Sequence, residues 1–281
     1  MGSARGLRVR AGMGDTGGLM RAILRVRPAA ITGMVWAGLA LAQSASVEPA
    51  AGPAGRATEV FHYYVEWRLI HAGNARLTWT PSRASDSAGW EADLVLQSVG
   101  LVSRLYRVDD RYTSVLDDEL CARNSLLKAH EGGRRRETRV TYDRERRKAS
   151  YLEQDLVKQR VADAHEIDIP ACVHDVLGAL YRLRMLRPEP GQTVELPLSD
   201  GKKSIRARVE AQQRERVRTR AGAFDTVRYE AFLFNNVFYR RSGRLFVWLS
   251  DDERRLPVQV RIRLPFYIGT VTLELEKMER S

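Results

Sequence analysis

Apolar and polar residues alternate with a period of two over most of the chain. Phe61, Tyr63, Val65, Trp67 and Leu69 alternate with His62, Tyr64, Glu66 and Arg68, the pattern of a half-buried strand. Ala75, Leu77 and Trp79 carry the apolar face back, so His71-Ala72-Gly73-Asn74 reads as a hairpin turn. Further strands read at about 90–99, 104–117, 119–129, 135–143 and 146–154. Asp117-Asp118, Glu131-Gly132-Gly133 and Asp143-Arg144-Glu145 supply tight turns between them. After Asp200-Gly201, a hairpin turn, strands resume at about 204–220, 223–234, 236–241, 244–250, 256–264 and 266–278.

One stretch breaks this period. Val173, Val176, Leu177 and Leu180 follow helical spacing, which predicts one amphipathic helix over about 172–187. Asp175 lies near its amino end, where the helix dipole favours negative charge. Pro188, Pro190 and Gly191 end it. Short links between successive strands favour neighbours in sequence being neighbours in the sheet. The expected fold is mainly β: a strongly curved antiparallel meander sheet, or a barrel-like fold, with the helix packed on or into it.

The amino-terminal residues follow a different pattern. Met20-Arg21, Arg25 and Arg27 precede the short apolar run Pro28 to Ala42, which ends in Ala40-Leu41-Ala42. A basic segment, a short apolar core and a small-x-small site are the parts of a cleavable signal peptide. Residues 1–42 therefore read as a leader, with Met20 as the expected true start. The apolar run is too short to predict a transmembrane span in the mature form. No Cys follows it, so a lipid-modified amino-terminal cysteine is not expected. Residues 43–57, small and Pro- and Gly-bearing, read as a flexible linker, and 58–281 as a single β domain.

Export changes how charge and cysteine are read. The net charge is +11, and six arginines against one acid lie in the leader. The remainder is mildly basic, and the expected periplasmic location disfavours nucleic acid as a partner. Cys121 and Cys172 are the only two cysteines, and an exported chain predicts that they form a disulfide.

Several segments taken together resemble a bacterial family known as domain of unknown function 3108. They are Ala72 to Leu77, Tyr106 to Tyr112, Asp175 to Arg184, Asp200-Gly201-Lys202, Ala221 to Thr226, Val247 to Val258 and Ile268 to Val271. The resemblance runs over about residues 58–279. It implies an exported, mostly β protein and brings no established activity or catalytic residues. The cysteine pair is not part of what it implies.

Catalytic signatures are missing. No HExxH or other metal-ligand spacing joins the five histidines, and there is no G-x-S-x-G elbow, P-loop or dinucleotide-binding glycine pattern. No cofactor or metal is expected. Asp251 and Asp252 form an acid run with Glu253, but it reads as turn chemistry answered by Arg254 and Arg255. Asp109 and Asp110 lie on opposite strand faces, so one is expected to point inward and need a partner, and with arginines plentiful this is a candidate core ion pair. Asp109, Asp251 and Asp252 remain weak site candidates.

Two features suggest binding instead. Arg206, Arg208, Arg214, Arg216 and Arg218 share alternate positions and predict a cationic strand face for an anionic ligand. A charged outer face that keeps the sheet soluble explains the same row. Trp67, Trp79, Trp248 and Phe232 are candidates to line an apolar cavity if the sheet curls. The expectation is a non-enzymatic periplasmic protein that binds a lipid-like envelope component. The alternatives are an envelope scaffold acting by protein contacts and, last, an enzyme using these carboxylates.

Overall fold

The computed structural model describes residues 57–82 and 88–281. The leader, its start at Met20 and nearly all of the linker lie outside the described residues. Among the described residues, fourteen strands and two helices make up the fold. The first run is β1 (Glu59–Trp67), β2 (Ile70–Ser82), β3 (Gly89–Ser98), β4 (Val108–Asp117), β5 (Ala122–Glu131), β6 (Arg134–Asp143), β7 (Lys148–Asp155) and β8 (Arg160–Asp168). The second is β9 (Thr193–Ser199), β10 (Ser204–Thr219), β11 (Gly222–Ala231), β12 (Arg244–Ser250), β13 (Pro257–Arg263) and β14 (Thr270–Arg280). Helix α1 (Gly100–Leu105) joins β3 to β4, and α2 (Val176–Leu186) joins the two runs.

All strands form one antiparallel sheet in the order β8-β7-β6-β5-β4-β3-β2-β1-β14-β13-β12-β11-β10-β9. The predicted meander is therefore present twice, and the terminal strands β1 and β14 pair at its middle. The sheet is curved but not closed. Beyond its free edges, the β9–β10 turn reaches across to the first run. Lys202 Nζ lies 2.5 Å from Asp163 of β8, and the Tyr142 hydroxyl of β6 donates to the Ser199 carbonyl.

The alternation seen in the sequence sets the inner face. Phe61, Tyr63 and Val65 of β1 are buried, as are their register partners Leu77 and Ala75 on β2. The first hairpin differs from expectation. Its turn is Arg68-Leu69, both at positive φ, and the His71–Asn74 stretch lies inside β2. Gly73 serves a different need there: a Cβ would meet the Gln97 carbonyl oxygen of β3 at 2.3 Å. Strand β8 and the short helix α1 are additions to the expected elements, and 236–241 is a turn-rich loop, not a strand.

Helix α2 begins at Asp175, whose carboxylate accepts the Gly178 amide at 2.7 Å. Residues 172–175 are an extended lead-in, so Val173 contributes from outside the helix. The helix lies across one end of the curved sheet. Tyr181 stacks on Trp79 at 3.3 Å between ring centroids. The Arg184 guanidinium donates to the buried Glu59 carboxylate at 2.9 Å and to the carbonyls of Arg254 and Arg255. Cys121 and Cys172 form a disulfide, with Cα atoms 5.1 Å apart, that ties the lead-in to the β4–β5 turn. This end is the base of a cup.

Candidate functional site

Above the base the interior is not filled. A cavity of about 310 Å³ lies between the sheet and the upper face of α2. Its wall is mostly aliphatic, with Leu94 and Leu96 of β3, Leu127 of β5, Leu273 of β14, and Leu180 and Leu183 of α2. Every one of the strand residues belongs to the inward set of its strand, so alternation alone delivers an apolar lining. Cavities of this size with apolar walls and a few placed polar groups are the usual form of small-molecule sites.

The charged groups of the wall lie along β5 to β7, joined by Asp200 of the β9–β10 turn that reaches across to them. Glu131, Arg134, Arg136 and Glu153 line that side of the cavity. Arg136 and Glu153 form an ion pair, and the Tyr151 hydroxyl donates to Glu153 at 2.6 Å. Lys202, from the β9–β10 turn, lies 3.7 Å from Glu153. Glu131 and Arg134 flank the β5–β6 turn, and Arg134 is exposed, so the cavity reaches the end of the cup opposite α2.

Asp110, not Asp109, is the inward acid. It is fully buried, its Oδ1 accepts the His130 amide at 2.9 Å, and its Oδ2 has no hydrogen-bond partner. Burial pushes its pKa up to about 8, and the negative charge of Glu131 adds to the shift. No arginine pairs with it among the described residues, contrary to the expected core ion pair. Asp109 faces outward, where Gln97 donates to it at 3.0 Å.

The other candidates are placed differently from expectation. A register shift between Ala211 and Arg214 divides the arginine row. Arg206 and Arg208 lie on the outer face, but Arg214, Arg216 and Arg218 come round to the opposite one, because a bulge inverts the period. There is no single cationic strand face. Arg208 pairs with Glu210 and covers Phe232, and Arg214 pairs with Glu189 and with Asp251 at 2.8 Å.

None of the four aromatic candidates lines the cavity. Trp79 is core at the base, under Tyr181. Trp67 is half-buried, and its indole N–H donates to the Ile268 carbonyl at 2.8 Å. Phe232 lies beneath Arg208, and Trp248 is on the outer face of β12. There, Trp248 and Phe246 floor a recess ringed by Arg228, Arg244, Arg261 and Arg263. Large rings fill the closed end and the outer face, and branched aliphatics leave the space above α2.

Asp251 and Asp252 occupy the β12–β13 turn. Arg255 lies 3.2 Å from Asp251. Burial would raise the Asp252 carboxyl, but hydrogen bonds from the Ser250 hydroxyl and Arg254 hold it below the ordinary range. The turn reading accounts for both.

Arg134, Arg136 and Glu153 are the site residues that sequence reasoning missed. In isolation, the arginines opening β6 read as a solvent face. Counting back by two from the buried Val140 places Thr138 and Arg136 inward, and counting on from Tyr151 does the same for Glu153.

The geometry defines a cup-shaped β protein with an internal apolar cavity, closed at one end by a helix. The chain belongs to the family of proteins of unknown function DUF3108, whose model matches residues 62–276. No curated protein matches it. A β-barrel-like protein of domain of unknown function DUF1849 from Brucella abortus has a similar fold. It is 8% identical, with 80% of this chain and 98% of that chain covered, at a TM-score of 0.51. A DUF1089 family protein from Pseudomonas aeruginosa aligns more loosely: 13% identity, 78% of this chain, 95% of that chain, TM-score 0.31. Among the described residues, no helix is long and apolar enough to cross a membrane.

Proposed function

We propose that this protein is an exported, periplasmic, non-enzymatic binder of an amphiphilic, lipid-like envelope component. The apolar part of the ligand occupies the space above α2, and its head group lies against Arg134 and Arg136. The observation that carries this reading is the aliphatic cavity of about 310 Å³ with charged groups on one side only. The signal-peptide pattern of residues 1–42 and the Cys121–Cys172 disulfide support an oxidising, exported setting. An interior that was fully packed would instead have favoured a scaffold acting by its surface alone.

Native mass spectrometry of the protein after gentle extraction tests the reading. The expected result is a bound lipid-like mass that is lost in Leu96→Trp/Leu180→Trp, which narrows the cavity from the sheet and from the helix. An empty protein that also fails to take up a fluorescent fatty acid overturns it. One observation favours an enzyme: the raised pKa of Asp110 beside Glu131, since shifted carboxylates cluster at catalytic sites. Asp110 itself does not line the cavity, which leaves this the weaker reading.

A further inference from the structure

Antiparallel order sorts the connections of a meander between two ends. The links β1–β2, β3–β4, β5–β6, β7–β8, β11–β12 and β13–β14 lie at the end away from α2, whereas the β9–β10 turn bends to the lead-in of α2, where Leu198 bridges His174. The exposed large apolar side chains gather there. Leu69 and Ile70 flank the β1–β2 turn, Leu101 and Leu105 project from α1, and Phe266 and Tyr267 form the β13–β14 loop. Phe266 is 96% exposed and Leu69 88%. Val157 of the β7–β8 turn and Val237 of the β11–β12 loop extend the set. Among the described residues, the one exposed large apolar side chain outside this end is Val176, which lines the cavity.

These tips are held together. Arg68 donates to the Phe266 carbonyl at 2.7 Å and to the Ile268 carbonyl at 3.2 Å, which joins the first hairpin to the β13–β14 loop. Helix α1 has no buried residue. Six residues cannot persist as a helix on propensity alone, so α1 is held by its neighbours while its leucines face outward.

The charge at this end has one sign. Its loops carry Arg68, Arg104, Arg107, Lys158, Arg240 and Arg241. No acid lies in these loops. The loops at the α2 end are mixed: Asp118, Glu119, Glu145, Asp251 and Glu253 stand among their arginines. An apolar crown set in cationic loops is the composition of surfaces that sit in the headgroup region of anionic bilayers. Scattered exposed leucines need no explanation, but a set confined to one end does.

We infer that this end docks on an anionic lipid bilayer, with Leu69, Leu105 and Phe266 entering the interface and the cationic loops meeting the headgroups. The inference rests on the cavity reading for its purpose. The cavity reaches the same end through Glu131 and Arg134, so a docked protein presents its opening to the lipid it would exchange.

Co-sedimentation of the protein with phosphatidylglycerol vesicles, and with phosphatidylcholine vesicles alongside, tests this. Binding is expected to the first, to weaken as salt is added, and to be much weaker to the second. Leu69→Ser/Phe266→Ser should bind phosphatidylglycerol vesicles about ten-fold or more weakly, from the apolar area no longer buried. Both residues are exposed, so the melting temperature should not move, and circular dichroism confirms the fold. Arg146→Gln/Arg147→Gln, at the α2 end, should bind as the parent does. No binding to phosphatidylglycerol vesicles, or equal binding by the serine variant, overturns the inference. Vesicle binding by a protein that carries no lipid overturns the cavity reading and leaves docking standing. Bound lipid without vesicle binding does the reverse.

Discussion

The two ends of the cup use the same strands for opposite purposes. At the base, the inner positions are Phe61, Trp79, Trp90 and Leu116, all buried and covered by Leu177 and Tyr181 of α2. At the other end, the same strands place Val65, Ala75 and Leu96 around empty space. A difference in side-chain volume along each strand, at constant polarity, is enough to make one end core and the other a cavity. The charges differ in the same way. The base holds Glu59 and Arg184 as a matched buried pair, and the Glu59 carboxylate also accepts the Tyr181 hydroxyl's hydrogen bond at 3.1 Å. The cavity end keeps Asp110 with an unanswered oxygen beside a second acid. Stability is concentrated at the base, and the opposite end retains costly features that packing alone does not explain.

Three changes sharpen the comparison. The largest effect is expected from Arg184→Ala, which leaves Glu59 buried without its partner and detaches α2 from β1. A loss of about 3–5 kcal/mol in urea denaturation is expected. A loss below about 1 kcal/mol would mean that the helix does not close the base.

Next is a matched pair of truncations. Leu116→Ala removes a fully packed side chain at the base and should cost about 2–5 kcal/mol. Leu96→Ala removes one that already faces a void, so no new cavity is created and the cost should be less than half as large. Equal losses would show that both ends are packed alike in solution.

The smallest effect is pH-dependent. The folded pKa of Asp110, about 8, lies above its unfolded value near 4. The unfolded chain therefore releases this proton first as pH rises. The stability associated with Asp110 is fully present below about pH 4 and is lost progressively up to about pH 8. Asp110→Asn should raise the melting temperature by a few degrees at pH 8 and leave it nearly unchanged at pH 3. A variant no more stable than the parent at pH 8 would remove the argument that this acid is held neutral.

Local signals in the sequence succeeded where one strand or one turn decides the outcome. The gly-containing turns at Gly132-Gly133 and Gly201 are where composition places them, and Asp175 caps the helix it precedes. They failed where a second strand decides. Gly73 looks like a turn residue, yet it is required by the Gln97 carbonyl of β3. The arginines of β10 look like one face until the bulge after Ala211 sends Arg214, Arg216 and Arg218 to the other. Trp248 alternates correctly, but which face is inner is fixed by the Val247–Val260 pairing with β13 and not by the size of the ring.

The sequence by itself determined a β meander with one capped helix, a single cysteine pair and the absence of familiar catalytic motifs. These depend on spacing within short segments, which hydrophobic period and turn chemistry control. Only the tertiary structure decided which end α2 closes, where the interior stays empty, and that the exposed apolar tips share one rim. Those features arise from residues far apart in the chain brought together by register, and register is a property of paired strands, not of any one of them.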